Sequence, residues 1–185
     1  MLTRRTLLAS LIASPWALRP GVAHANVAPP AQVAAALPGA KWAGSSRMRF
    51  WGLDVYDATL FVTPDFRGAS FEQHPLVLEL TYLRSLRGKA IAERSMKEMR
   101  RAATVAPEQE QRWLAAMQEA FPDVRAGDKL TGLHRPDTGA QFWLNGQVRA
   151  EIADPMFSRL FFGIWLANTT SEPALRAALL ERVAS

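Results

Sequence analysis

No cysteine occurs anywhere in the 185 residues. A disulfide framework, a thiolate metal site and a cysteine nucleophile are therefore excluded. Histidine is nearly as scarce, with three in all, and only His74 and His134 lie beyond residue 25. Neither belongs to an H-E-x-x-H pattern, the acids are scattered, and both histidines read as surface side chains near loops or strand ends. Also missing are G-x-G-x-x-G, G-x-x-x-x-G-K-[ST] and G-x-S-x-G, so dinucleotide, phosphate-loop and nucleophile-elbow chemistry have no support. No uncharged apolar run approaches the roughly 20 residues that cross a bilayer. No metal and no cofactor are expected.

Charge of one sign is in slight excess. Twenty-two basic against 17 acidic residues give a formal net charge of +5, a balance that would normally raise nucleic acid as a partner. Three of the basic residues, Arg4, Arg5 and Arg19, fall in the first 25 positions, where there is no acid. The remainder holds 19 basic and 17 acidic residues, which removes the main support for a nucleic-acid partner. Hydrophobic residues at 49% and charged residues at 21% are a globular composition.

The opening segment has a different character. Arg4-Arg5 precedes a mildly apolar stretch from Leu7 to Leu18, followed by Ala23-His24-Ala25. A positive start, a short apolar middle and an A-x-A box are the three parts of an export signal, and this middle is too short to anchor the chain. Thr3-Arg4-Arg5-Thr6-Leu7-Leu8 is compatible with either a twin-arginine or an ordinary secretory route. The expected organisation is a signal peptide at 1–25, a linker or short helix at 26–41, and one domain at 42–185. The expected compartment is the periplasm.

Within the domain the apolar period alternates between sheet and helix. Tyr56, Ala58, Leu60 and Val62 share one strand face. The apolar parity changes around Gly52, which predicts a bulge or bend there. Leu76, Leu78, Leu80, Tyr82 and Arg84 line one face of a further strand. From Gly88 the period becomes helical, with Ile91, Ser95, Met99 and Ala102 on one stripe. A second helix follows Pro107 and carries Trp113, Met117 and Phe121. Strands return at 129–134, 140–144 and 147–152, the last two joined through Asn145-Gly146, a strong hairpin signal. Asp154-Pro155 opens a helix that is apolar nearly all round, and a final amphipathic helix starts at Pro173. Segregated runs of strands and helices predict an α+β domain with helices packed on an antiparallel sheet.

Tyr82 and Arg84 end an otherwise apolar face, and a buried guanidinium there needs a partner, a ligand or a route to water. Most of the aromatics have a spacing that core packing explains; Trp42 and Trp51, beside polar strand residues, do not.

Four segments together resemble a known family. Phe50-Trp51-Gly52-Leu53-Asp54-Val55-Tyr56-Asp57-Ala58 is similar to a strand of chalcone isomerase-like proteins. So are Leu78-Glu79-Leu80-Thr81-Tyr82-Leu83-Arg84, Phe121-Pro122-Asp123-Val124-Arg125-Ala126-Gly127-Asp128 and Phe161-Phe162-Gly163-Ile164-Trp165-Leu166. Their order resembles the bacterial exported branch, from about Trp42 to Glu181. The resemblance implies a large antiparallel sheet covered on one side by helices, with a ligand cleft between the layers.

It does not imply the plant reaction. In the enzymes an Arg and a Thr from strands, a Tyr and an Asn near the first long helix and a later Ser or Thr handle the flavonoid. Here Ile91 falls where that Tyr is expected, Glu98 where the Asn is expected, and Leu160 and Phe161 near the later hydroxyl. Arg47 or Arg49 matches the Arg, and Tyr56 falls near the strand Thr. Family members that bind fatty acids use the Arg and the Tyr, and Ile91 cannot hydrogen-bond a carboxylate.

The leading expectation is a non-catalytic periplasmic protein holding a small hydrophobic ligand, a fatty-acyl or aromatic carboxylate. Its candidate binding residues are Arg47, Tyr56, Tyr82 and Arg84. The alternatives are an isomerase with an altered active site, and an interaction protein whose cleft is filled by its own aromatics. Export yields the first test. N-terminal sequencing of the secreted form is expected to begin at Asn26, after cleavage at Ala25; a retained Met1 in a membrane fraction would contradict it. Replacing Arg4 and Arg5 by Lys blocks export only if the twin-arginine route operates.

Overall fold

The computed structural model describes residues 28–183; the leader read at residues 1–25 lies outside them. The elements follow the order α1 (Ala31–Ala36), β1 (Lys41–Phe50), β2 (Leu53–Val62), a 3-10 segment (Gly68–Gln73) and β3 (Leu76–Tyr82). Helices α2 (Gly88–Ala102) and α3 (Pro107–Ala120) come next, then β4 (Lys129–Arg135), β5 (Gly139–Leu144) and β6 (Gln147–Ile152), and last α4 (Pro155–Leu166) and α5 (Pro173–Leu179). The strands form one open antiparallel sheet in sequential order, β1 to β6.

One face of this sheet carries the main core. Ala58, Leu60 and Val62 of β2 and Leu76, Leu78 and Leu80 of β3 are buried there against Met96 and Met99 of α2 and Phe161 and Phe162 of α4. Period-2 alternation sends every second residue of each strand to this side. The polar sites of α4 are satisfied at its start. The Asp154 carboxylate caps the helix by accepting from the Phe157 amide at 3.0 Å, and also accepts from Trp113 Nε1 at 2.8 Å and Gln109 Nε2 at 3.0 Å. One cap thus ties α4 to α3.

The opposite face is not bare. Val33 and Leu37 are buried against Phe61, Val77, Leu133 and Trp143, with Trp42 packed alongside. The stretch read as linker or short helix therefore carries a docked helix, α1, and coverage by helices is not confined to one side. Trp42 belongs to this second cluster, with the Arg182 guanidinium 4.4 Å from its ring centroid.

The bulge or bend expected near Gly52 takes a definite form, and the expectation for His134 changes. The parity change near Gly52 is a tight hairpin turn, because Phe50 pairs with Leu53 and leaves only Trp51 and Gly52 between the strands. One register irregularity lies just before it, between Met48 and Arg49, and a second lies between Trp42 and Gly44. His134, read as a surface residue, is fully buried. Its Nδ1 lies 2.6 Å from the Ser158 hydroxyl and its Nε2 3.3 Å from the Glu72 carbonyl. A strand-end position next to polar residues looks exposed in sequence; here α4 and the 3-10 segment close over it.

Burial also holds the His134 imidazole neutral, lowering its pKa from the ordinary value. Between that lowered value and the unfolded value near ~6.5, the unfolded chain binds more protons, so stability rises with pH across the window. The contribution is complete above the unfolded value and is lost on acidification. The urea midpoint is expected to fall between about pH 7 and pH 5, and His134→Gln should flatten that fall. Equal slopes in both proteins would rule out His134 as the source.

Candidate functional site

A cavity of about 410 Å³ opens between the sheet and the helices. Sites for small molecules typically occupy roughly 300–1,000 Å³. The sheet supplies Met48 and Phe50 from β1, Tyr56 from β2, Leu80 and Tyr82 from β3 and Leu130 from β4. Ile91, Arg94, Ser95 and Glu98 of α2 form the facing wall, and Phe161, Ile164 and Trp165 of α4 form the back. The cleft is thus open, not filled by the protein's own aromatics.

Close packing fixes the α2 wall. A Cβ at Gly88 would lie 1.9 Å from the Phe121 carbonyl oxygen, so only glycine lets the start of α2 sit against the end of α3. The Gly88 amide donates to Asp123 Oδ1 at 2.9 Å. Residues 124–128 secure the neighbouring end of β3: the Tyr82 amide donates to the Asp128 carbonyl at 2.9 Å, and Gly127 donates back to the Tyr82 carbonyl at 2.8 Å.

The two tyrosines face each other across the strand pair. Tyr56 is in register with Tyr82, and their rings meet edge to face at 6.0 Å. Trp165 Nε1 donates to the Tyr56 hydroxyl at 3.0 Å. Burial raises the Tyr56 pKa to about 12, opposed by the Trp165 hydrogen bond. Burial also raises that of Tyr82, with Tyr56 adding to the effect. Both phenols therefore stay protonated at neutral pH, so each keeps an O–H that it can donate. Tyr82 is only 2% exposed, yet it lines the cavity, and its hydroxyl has no hydrogen-bond partner among the described residues.

Charges ring the opening. Arg84 lines the cavity, is exposed, and makes no ion pair with a described residue. Arg94 is committed to Glu98, at 2.8 Å, and its guanidinium lies 5.5 Å from the Phe50 ring centroid. Glu98, only 9% exposed at its side chain, also meets Arg101 at 3.6 Å. A buried carboxylate with two cationic partners is satisfied without a ligand.

The sequence candidates separate on this geometry. Tyr56, Tyr82 and Arg84 come together on the cavity wall. Arg47 does not: β1 turns Met48 and Phe50 to the cavity, and Arg47 lies on the other face with Asp57 at 2.6 Å and Asp54 at 3.0 Å. Arg49, the other candidate match for the family's Arg, pairs with Asp54 at 2.8 Å. Of the leucine face, only Leu80 borders the main cavity; Leu76 and Leu78 are fully packed in the core. Sequence reading missed Arg94 and Trp165 as wall residues. Arg94 falls off the apolar stripe of α2, yet the stripe's edge faces the cavity mouth, so only the position of the facing hairpin reveals it. Among the described residues there is no cluster of His, Asp and Glu able to hold a metal ion.

An open antiparallel sheet with its long helices on one face and a ligand-sized cavity between those layers defines the class. A model of the chalcone isomerase-like family matches residues 25–181, and the chain belongs to that family. An uncharacterized protein of Haemophilus influenzae is 32% identical over 152 residues, covering 81% of this chain and 73% of that one. The crystal structure of an Arabidopsis thaliana fatty-acid binding protein is similar with a TM-score of 0.60 at 11% identity, covering 78% of this chain and 88% of that one. At that identity the likeness speaks for the fold.

Proposed function

We propose that this protein is an exported, non-catalytic carrier of a small apolar carboxylate, a fatty-acyl or aromatic acid, held in the sheet–helix cavity. The observation that carries this reading is the composition of the wall: apolar side chains from both layers, a Tyr82 phenol without a hydrogen-bond partner, and a cation, Arg84, and a carboxylate, Glu172, each without an ion pair among the described residues, so that the cation and phenol set where an acidic head would sit. The apolar body would lie among Met48, Leu80, Ile91 and Ile164, and the head would reach Tyr82 and Arg84. The fatty-acid binding named for the Arabidopsis neighbour supports the same ligand class. Ile91 and Glu98 stand where the plant enzymes are expected to carry Tyr and Asn, which supports binding over catalysis. Placement in the periplasm rests on the leader at residues 1–25.

Titration with a fluorescent fatty acid tests the anchors. Because Arg84 reaches solvent, Arg84→Ala should weaken binding by about 1.5 kcal/mol, a little over tenfold, at the low end for a charged hydrogen bond. Tyr82→Phe should cost about 1 kcal/mol, and Arg47→Ala should leave affinity unchanged. Parent-like binding by both Arg84→Ala and Tyr82→Phe would refute the placement of the head. Incubation with a chalcone should give no ring closure above the spontaneous rate, because removal of one positioned donor or acid typically costs about 10²–10³-fold. Measurable turnover would overturn the non-catalytic reading.

A further inference from the structure

Five large apolar side chains are exposed among the described residues: Phe50 at 46%, Trp51 at 90%, Leu53 at 53%, Val148 and Met156. Three of the five fall within four consecutive residues, at the tip of the β1–β2 hairpin. There the Phe50 and Trp51 rings stack at 5.5 Å with 12° between their planes. Phe50 also lines the cavity, so the tip is continuous with its mouth.

Trp51 is not there for the turn. Its φ is 49° and that of Gly52 is 76°, while the β5–β6 turn has φ 50° at Asn145 and 81° at Gly146. The same left-handed pair of conformations is therefore filled once by Asn-Gly, the favoured choice, and once by Trp-Gly. A bulky residue at positive φ is strained, and its ring is exposed, so burial within this chain does not offset the strain. The charge beside it is one-sided: residues 84–101, which include most of α2, hold seven basic and two acidic residues. Arg94 of this segment lies over the Phe50 ring and joins the basic helix to the apolar tip.

An exposed aromatic and leucine tip next to an excess of basic side chains has the pattern that seats a protein at a lipid–water interface. We propose that the hairpin tip Phe50-Trp51-Gly52-Leu53 docks on an anionic lipid surface, with α2 supplying the attraction and the cavity mouth brought against the headgroups. This surface adds a partner to the proposed carrier and is measured without any acyl ligand, so either reading can fail alone.

The experiment is sedimentation with vesicles of phosphatidylcholine containing about one-third phosphatidylglycerol, against phosphatidylcholine alone, using the processed chain and its variants. Neither Trp51 nor Leu53 borders the cavity, so Trp51→Asn and Leu53→Thr should leave fluorescent fatty-acid affinity unchanged. Trp51→Asn installs the favoured Asn-Gly turn, and its unfolding midpoint should equal or exceed the parent's. The parent should bind the anionic vesicles, and each variant should bind them about tenfold or more weakly. Neutral vesicles, or high salt, should also weaken binding. Undiminished binding by both variants, equal binding to neutral vesicles, or no parent binding would overturn the proposal. So would a parent dimer that Trp51→Asn converts to monomer without vesicle binding, which would make the tip a contact between copies.

Discussion

The register of β2 against β3 is the constraint from which the rest of the structure follows. Tyr56 opposite Tyr82, Ala58 opposite Leu80 and Leu60 opposite Leu78 place one unbroken apolar face under the helices. A slip of one residue would turn that face to the other side and expose the main core. At its Tyr end the same face borders the cavity, so the last cross-strand pair is core and cavity wall at once. Core and cavity are thus one surface, covered by α4 at one end and left open beneath α2 at the other.

Polar groups in this open part are satisfied unevenly, and the imbalance gives the cavity its direction. Trp165 answers the Tyr56 hydroxyl and Arg94 answers Glu98. The Tyr82 hydroxyl, Arg84 and the Glu172 carboxylate are left without side-chain partners among the described residues. Pairing within the protein lowers the gain available from a ligand group, while an unpartnered donor on an apolar wall retains it. The same contrast separates Arg47 from Arg84. Two aspartates already hold Arg47 on the far face, and they raise its pKa well above the ordinary arginine value.

Two hairpin turns of nearly equal backbone geometry show how local and tertiary demands part company. Asn145-Gly146 meets its turn with the residues that turn favours, and the Asn145 side chain also accepts from the Lys129 amide at 2.8 Å. Trp51-Gly52 meets nearly the same φ angles against local preference. The Asn-Gly turn was legible as a hairpin from its dipeptide. The Trp-Gly turn has the sequence character of a bulge, because a tryptophan gives no turn signal and only Gly52 points to an irregularity.

Alternation and helical spacing determined most of the architecture: the strands, the long helices, the Asp154 cap and the α+β class all rest on interactions between near neighbours in the chain. The shared side of Leu80, Tyr82 and Arg84 was also legible, since period 2 needs no tertiary information. Side-chain pairing was not. Which arginine is spent on an aspartate, that His134 is buried against Ser158, and that Arg94 reaches Phe50 depend on contacts between different elements, the last two 24 and 44 residues apart in sequence. Docking of α1 on the second face was likewise decided by Phe61 and Val77, apolar residues on a strand face that reads as mainly polar. Periodicity fixes the side of an element on which a residue lies; only the packing of that side against another element decides whether it meets a partner, a ligand or water.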